Sequence, residues 1–194
     1  SKNMNFIQQT VIMVKPDGMK KRIVGDVISR FENVGFKLVA MKLVWVDREH
    51  VGKHYADEMN YLTAVGQRSL DDYQKYGFDP KESLGTVDAY EIGKIVRNAN
   101  MDALSSGPLV AMIWEGIDAV QVGRKMVGST NTASAVPGSI RGDYSADLPI
   151  LATSNRRPIR TLVHASGNIE EAEFEKKLWF REDEIHVYKM PDEE

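Results

Sequence analysis

The sequence has no cysteine. That excludes disulfides and cysteine-ligated zinc, and it fits an intracellular chain. It has no long apolar run, so no membrane-spanning helix is expected. The first nine residues lack the basic-then-apolar pattern of a secretory signal. Excess positive charge is missing as well. The formal net charge is −3 with both signs interspersed, which argues against a nucleic-acid surface but leaves room for a local cationic pocket. There are no internal repeats and no low-complexity tracts. The phosphate loop G-x-x-x-x-G-K-[ST] and the protein-kinase signatures are absent. His50 and His54 stand four apart, but without a nearby third ligand they read as helix-surface residues, not a zinc site. What remains is a soluble, cytoplasmic chain.

The sequence does hold 194 residues, 42% of them apolar, enough for a single compact domain over 1–194. Residues 9–15 (QTVIMVK) and 109–114 (LVAMIW) are short apolar runs that read as fully buried central strands. Pro16-Asp17-Gly18 ends the first run in a turn. Residues 25–34 carry apolar side chains at helical spacing, with Gly35 as a stop. Residues 36–46 read as a long strand, and Asp47 as the N-cap of the next helix. Asp88-Ala89-Tyr90-Glu91 has the form of a capping box. Residues 61–104 read as a helical excursion too short and polar to bury its own core. A helix over 117–127 and a long loop over 128–142 follow, and 144–158 shows no clear period. A short strand at His164, a helix over 168–180, a last strand over 184–188 and a frayed acidic tail complete the chain. This order is α+β, a split βαβ arrangement with an antiparallel sheet and helices on one face.

Lys15, Arg124, Thr130, Arg141 and His164 all fall at or near ends of buried elements. If they converge they form a cationic pocket with one titratable nitrogen. Lysine and arginine suit phosphate oxygens, and a histidine held at a strand end suits a nucleophile or proton carrier.

Several ordered motifs carry a resemblance. They are Val14-Lys15-Pro16-Asp17-Gly18, Ser106-Gly107-Pro108, Trp114-Glu115-Gly116 and Gly128-Ser129-Thr130-Asn131. Pro137-Gly138-Ser139-Ile140-Arg141-Gly142-Asp143, His164-Ala165-Ser166 and Leu178-Trp179-Phe180 continue the series. Together they resemble the nucleoside diphosphate kinase family over most of the chain. The resemblance implies a ferredoxin-like βαββαβ antiparallel sheet with helices packed on it, plus a helical insertion. It also implies ping-pong transfer of a γ-phosphoryl group, usually from ATP, through a phosphohistidine to a nucleoside diphosphate. By position His164 is the nucleophile and Lys15 contacts the transferring phosphate. Tyr55 packs near the histidine, Ser166 follows it by two, and Glu175 hydrogen-bonds and orients its ring. Arg124, Thr130 and Arg141 hold phosphates. Mg²⁺ is implied, held through nucleotide phosphates and water. So is a homo-oligomer, most often a hexamer, with tetramers or dimers in some members and the Pro137-Gly138 loop in its contacts.

Three departures stand out. Thr161 occupies the place of the family's asparagine, three before the histidine, and has fewer donors for sugar or phosphate. The stretch after Tyr55 is longer than usual, and either Arg68 or Arg97 completes the phosphate site, Arg97 being favoured for its nearness to Ser106. A second insertion covers 144–158. These departures motivate an alternative reading: a catalytically weak nucleotide- or nucleic-acid-binding regulatory module on the same scaffold.

Overall fold

The computed structural model describes residues 5–193. In chain order its elements are β1 (Ile7–Val14), α1 (Pro16–Lys20), α2 (Val24–Asn33), β2 (Lys37–Val44) and α3 (Arg48–His54). Then come α4 (Met59–Tyr76), α5 (Pro80–Leu84), α6 (Ala89–Leu104), β3 (Leu109–Ile117) and α7 (Ala119–Val127). After them follow α8 (Ile140–Tyr144), α9 (Pro149–Ser154), β4 (Val163–Ala165) and α10 (Ile169–Trp179). No helix among the described residues is long and apolar enough to cross a membrane.

The sheet order is β2-β3-β1-β4, and every neighbouring pair is antiparallel. This is a ferredoxin-like arrangement. β1 and β2 run the same way with β3 between them, the split crossover that the element order implies. Helices cover both faces, not one. β1 is apolar at successive positions, so alternate side chains serve opposite layers. Ile12 and Val14 pack with Val27 and Phe31 of α2 and Val127 of α7. Val11 and Met13 pack with Val51 of α3, Leu104 of α6 and Trp179 of α10.

Other boundaries also differ from the sequence reading. Pro16-Asp17-Gly18 opens α1, because proline at a first helical position loses no needed N–H. β3 runs on to Ile117, and the long loops contain α5, α8 and α9. The last strand does not form. A 3₁₀ turn at Glu182–Glu184 leads into irregular chain, and Val187 is 99% exposed, so only half of the alternating pattern finds a core. The tail is tied down rather than frayed, since Lys37 Nζ pairs with Glu193 at 3.0 Å.

The two insertions close on each other. Tyr73, Leu84 and Ile92 of α4–α6 share a small cluster with Ile150 of α9. The excursion thus gains from the second insertion the core that it could not build alone. Within it α4 and α6 nearly touch. A Cβ on Gly66 would stand 1.7 Å from the Ala89 carbonyl oxygen, and one on Gly93 1.9 Å from that of Leu62. Gly66→Ala or Gly93→Ala should therefore destabilise the protein by about 1–3 kcal/mol. Gly25→Ala, with open space around it, should be neutral or stabilise by about 0.4–1 kcal/mol. Urea midpoints check this, and equal midpoints for all three variants would contradict the close packing.

Candidate active site

His164 lies on β4 opposite Met13 of β1. Directly opposed residues share a face of the sheet, so the imidazole points into the α3–α10 layer. There it meets Glu175, whose Oε1 and Oε2 lie 2.9 and 3.0 Å from His164 Nε2. Ser166 Oγ donates to Glu175 Oε1 at 2.7 Å and accepts the Val11 N–H at 3.0 Å. Glu175 is 5% exposed and Ser166 is fully buried. Burial alone would raise the Glu175 carboxyl. The hydrogen bonds of His164 and Ser166, with the charge of His164, hold it below the usual range instead.

His54 was read as a surface residue, and the structure corrects that. Its Nδ1 accepts the Trp179 indole N–H at 3.0 Å, and its ring stands edge-on to His164 with centroids 4.7 Å apart. Burial, then the charge of His164, pushes its pKa down to about 3. His54, His164 and Glu175 bring ligand-type atoms within 4.8 Å of one another. A metal does not suit them. With Nδ1 accepting from Trp179, His54 carries its proton on Nε2 and has no free lone pair to give.

On the same side, Lys15 leaves β1 and hydrogen-bonds Thr161 Oγ1. Burial pushes the Lys15 pKa down to about 8, helped by Arg141 and opposed by Asp17. Arg141 is buried, and its guanidinium donates to the carbonyls of Gly128 (2.8 Å), Thr161 (3.0 Å) and Val163 (2.6 Å). It ties the 128 loop to β4 and fixes a positive charge behind the site. Burial and then the charge of Arg124 lower its pKa to about 10. Leu162, between Thr161 and the strand, is buried at φ 63°, which costs a non-glycine residue about 1–2 kcal/mol. A side chain at Gly18 would meet the Leu162 carbonyl oxygen at 2.4 Å, so the first turn of α1 requires glycine there.

These groups open onto a cleft of about 440 Å³, lined by Lys15, Tyr55, Thr130, Arg141, Thr161 and His164. Burial raises the Tyr55 phenol. Arg124 is exposed on the last turn of α7, outside the cleft lining. Arg97, the arginine favoured from sequence, is turned away. It donates to the carbonyls of Gly52 (2.8 Å) and Tyr55 (3.3 Å), at the end of α3. Arg68 lines the cleft instead. The side-chain direction on α6, and not closeness to Ser106 in sequence, sets where Arg97 lies. Arg157 and Asn131 also line the cleft and were missed. Asp147 fixes Arg157 through bonds of 2.7 and 3.0 Å.

The family model for nucleoside diphosphate kinase matches residues 8–62 and 89–185. The chain belongs to the nucleoside diphosphate kinase family. A nucleoside diphosphate kinase from Pyrobaculum aerophilum is 42% identical over 179 residues, covering 92% of this chain and 98% of that one. The crystal structure of an NDP kinase from that organism superposes with a TM-score of 0.88 at 41% identity, again over 92% and 98% of the two chains. A structure of the Borrelia burgdorferi enzyme, a transition-state mimic with vanadate and ADP, gives 0.77 at 32% identity over 97% and 95%.

The His54 geometry makes a prediction. A pKa pushed down to about 3 keeps the ring neutral from pH 5 upward, so it should not titrate between pH 8 and pH 5, with Nε2 protonated. Titration with a midpoint near 6.5 would contradict the Trp179–His54 arrangement.

Proposed function

We propose that this chain is a working nucleoside diphosphate kinase, passing the γ-phosphoryl group of a nucleoside triphosphate to a nucleoside diphosphate through His164. One observation carries the reading. Glu175 holds His164 Nε2, so that nitrogen keeps its proton and Nδ1 keeps its lone pair. Nδ1 attacks the γ-phosphorus, and the P–N bond forms. The bond from phosphorus to the β–γ bridging oxygen breaks, and its electron pair leaves with the diphosphate. The ring gains positive charge, which the Glu175 carboxylate balances. A terminal oxygen of the incoming diphosphate then attacks the phosphorus, and the electron pair returns to Nδ1.

The transition state is loose, so positioned charge does most of the work. Lys15 meets the transferring phosphoryl group. Arg141 supplies fixed charge, Thr130 a hydroxyl, and Arg68 rather than Arg97 the remaining cation. Arg124 acts from the rim. Ser166 and Tyr55 hold the histidine surroundings, and Thr161 orients the Lys15 ammonium. Mg²⁺ fits as an ion held by nucleotide phosphates, because the lining is cationic and Asp17 spends its carboxylate on the Gly18 and Leu162 N–H groups. When bound it would neutralise phosphate charge. The reading includes a single domain, a cytoplasmic location and a homo-oligomer, a hexamer first. β2 is an edge strand with Met41 and Leu43 exposed in alternation and Trp45 exposed just past its end, an apolar stripe suited to a second copy.

Incubation with γ-labelled ATP and Mg²⁺ should give acid-labile protein phosphate that a diphosphate removes. His164→Ala should give none while staying folded, and full activity in that variant would overturn the mechanism. The pH dependence follows from Lys15. Its pKa is lowered to about 8, so its charge is present below pH 8 and lost above it. The kcat/KM should fall as pH rises through about 8, and Lys15→Arg should move that fall to higher pH. A flat profile up to pH 10 would remove Lys15 from the reaction.

A further inference from the structure

Beside the cleft lies a cavity of about 180 Å³, which shares Lys15, Tyr55, Asn100, Arg157 and Pro158 with it. Its lining holds four cations, Lys15, Lys20, Arg157 and Arg160, against one carboxylate, Asp17. Asp17 is turned to the Gly18 and Leu162 N–H groups. With Asp147 behind Arg157 included, cations still outnumber carboxylates four to two. The whole chain is acidic, at −3, so this concentration of positive charge is local. Like charges around so small a space repel one another, and an anion between them relieves that repulsion.

Arg157 is held rigidly in that lining. Asp147 is 4% exposed and accepts the N–H groups of Leu148 (3.0 Å) and Arg160 (2.9 Å), so its carboxylate is fixed. That carboxylate accepts Arg157 Nη1 at 2.7 Å and Nη2 at 3.0 Å, and Nη1 also donates to the Pro158 carbonyl at 3.2 Å. A guanidinium carries five N–H groups in a planar fork. The two left over here, on Nε and Nη2, lie along one edge of the fork and have no acceptor among the described residues. Such an edge matches two oxygens of one phosphate group. Lys20 and Arg160 are exposed. Their side chains, the Asn100 amide and the Tyr55 phenol make no hydrogen bond or ion pair among the described residues, so each has donors to give.

We infer that this cavity is a second anion site beside the transfer site, and that it takes a phosphate group of a small inorganic oligophosphate such as pyrophosphate. The family resemblance assigns no role to Lys20, Arg157 or Arg160, and Arg157 belongs to the second insertion. A phosphate group reaches the cavity from one of two sources, a free oligophosphate or the phosphate chain of a nucleotide in the cleft. The free ion is favoured. Arg68, Thr130 and Arg141 line the cleft but not this cavity, and they already serve the nucleotide, so the cations here are surplus to that task. The choice of source rests on the nucleotide reading above, and the site itself does not.

Equilibrium dialysis of radiolabelled pyrophosphate against the full chain, without Mg²⁺, tests the site, with ADP binding measured alongside. Arg157→Gln should weaken pyrophosphate about tenfold or more. Lys20→Gln/Arg160→Gln removes only exposed cations, so the fold is kept. It should weaken pyrophosphate about three- to tenfold, while ADP affinity and the kcat/KM of nucleotide transfer stay within about twofold of the parent. That result upholds a free-ion site. An equal loss of ADP affinity in the double variant keeps the cavity as a phosphate site but overturns the free ion as its occupant, since the nucleotide's own chain then reaches in. Pyrophosphate binding that is absent in the parent, or unchanged in either variant, overturns the site. If no phosphohistidine forms with ATP, the kinase reading fails by itself, because the dialysis needs no turnover.

Discussion

A carboxylate taken out of water needs hydrogen-bond donors, and Glu175 is 5% exposed. It finds them in the Ser166 hydroxyl and the His164 ring, two residues apart at the end of β4. Much of the fold serves that meeting. β4 must lie beside β1 in the register that sets His164 opposite Met13. α10 must lie on the same face, where Ala172 and Trp179 are buried with Glu175. Ser166 must be close enough to β1 to accept the Val11 N–H. The direction of the imidazole is thus a by-product of satisfying a buried charge, and it is as rigid as the core itself.

The surroundings keep that imidazole usable. His54 beside it stays neutral because burial and the Trp179 N–H fix its tautomer. A second positive ring is therefore kept away from a nitrogen that must accept a phosphoryl group. Positive charge is supplied instead by Lys15 and Arg141, which line the same cleft as His164, where phosphates would lie. Arg141 is immobilised by carbonyls of the segments that it serves. The strained Leu162 sits between Thr161 and the strand, and the surrounding bonds from Lys15 and Asp17 hold it there.

The central strands were legible because β-branched and other apolar residues run unbroken up to proline and glycine stops. Asp47 and Asp88 announced their helices, and each accepts the backbone N–H three residues on. The same unbroken runs implied a core on both faces, which the one-layer reading overlooked. The distant pairings were not legible. His54 depends on Trp179, 125 residues away, and nothing local to either residue signals the contact. The placement of Arg68 in the cleft and of Arg97 outside its lining depended on which faces of α4 and α6 turn inward. That follows from the Gly66 and Gly93 contacts between helices, not from chain order. The C-terminal strand failed for a related reason: alternation predicts a strand only where one face has a core to meet.

The central claim is that Glu175 holds Nε2 and leaves Nδ1 to react. Phosphorus–nitrogen coupling in the NMR spectrum of ¹⁵N-histidine-labelled protein, after reaction with ATP, tests it most directly. The account predicts phosphorus bonded to Nδ1 of His164. Phosphorus on Nε2, or on another residue, would contradict it.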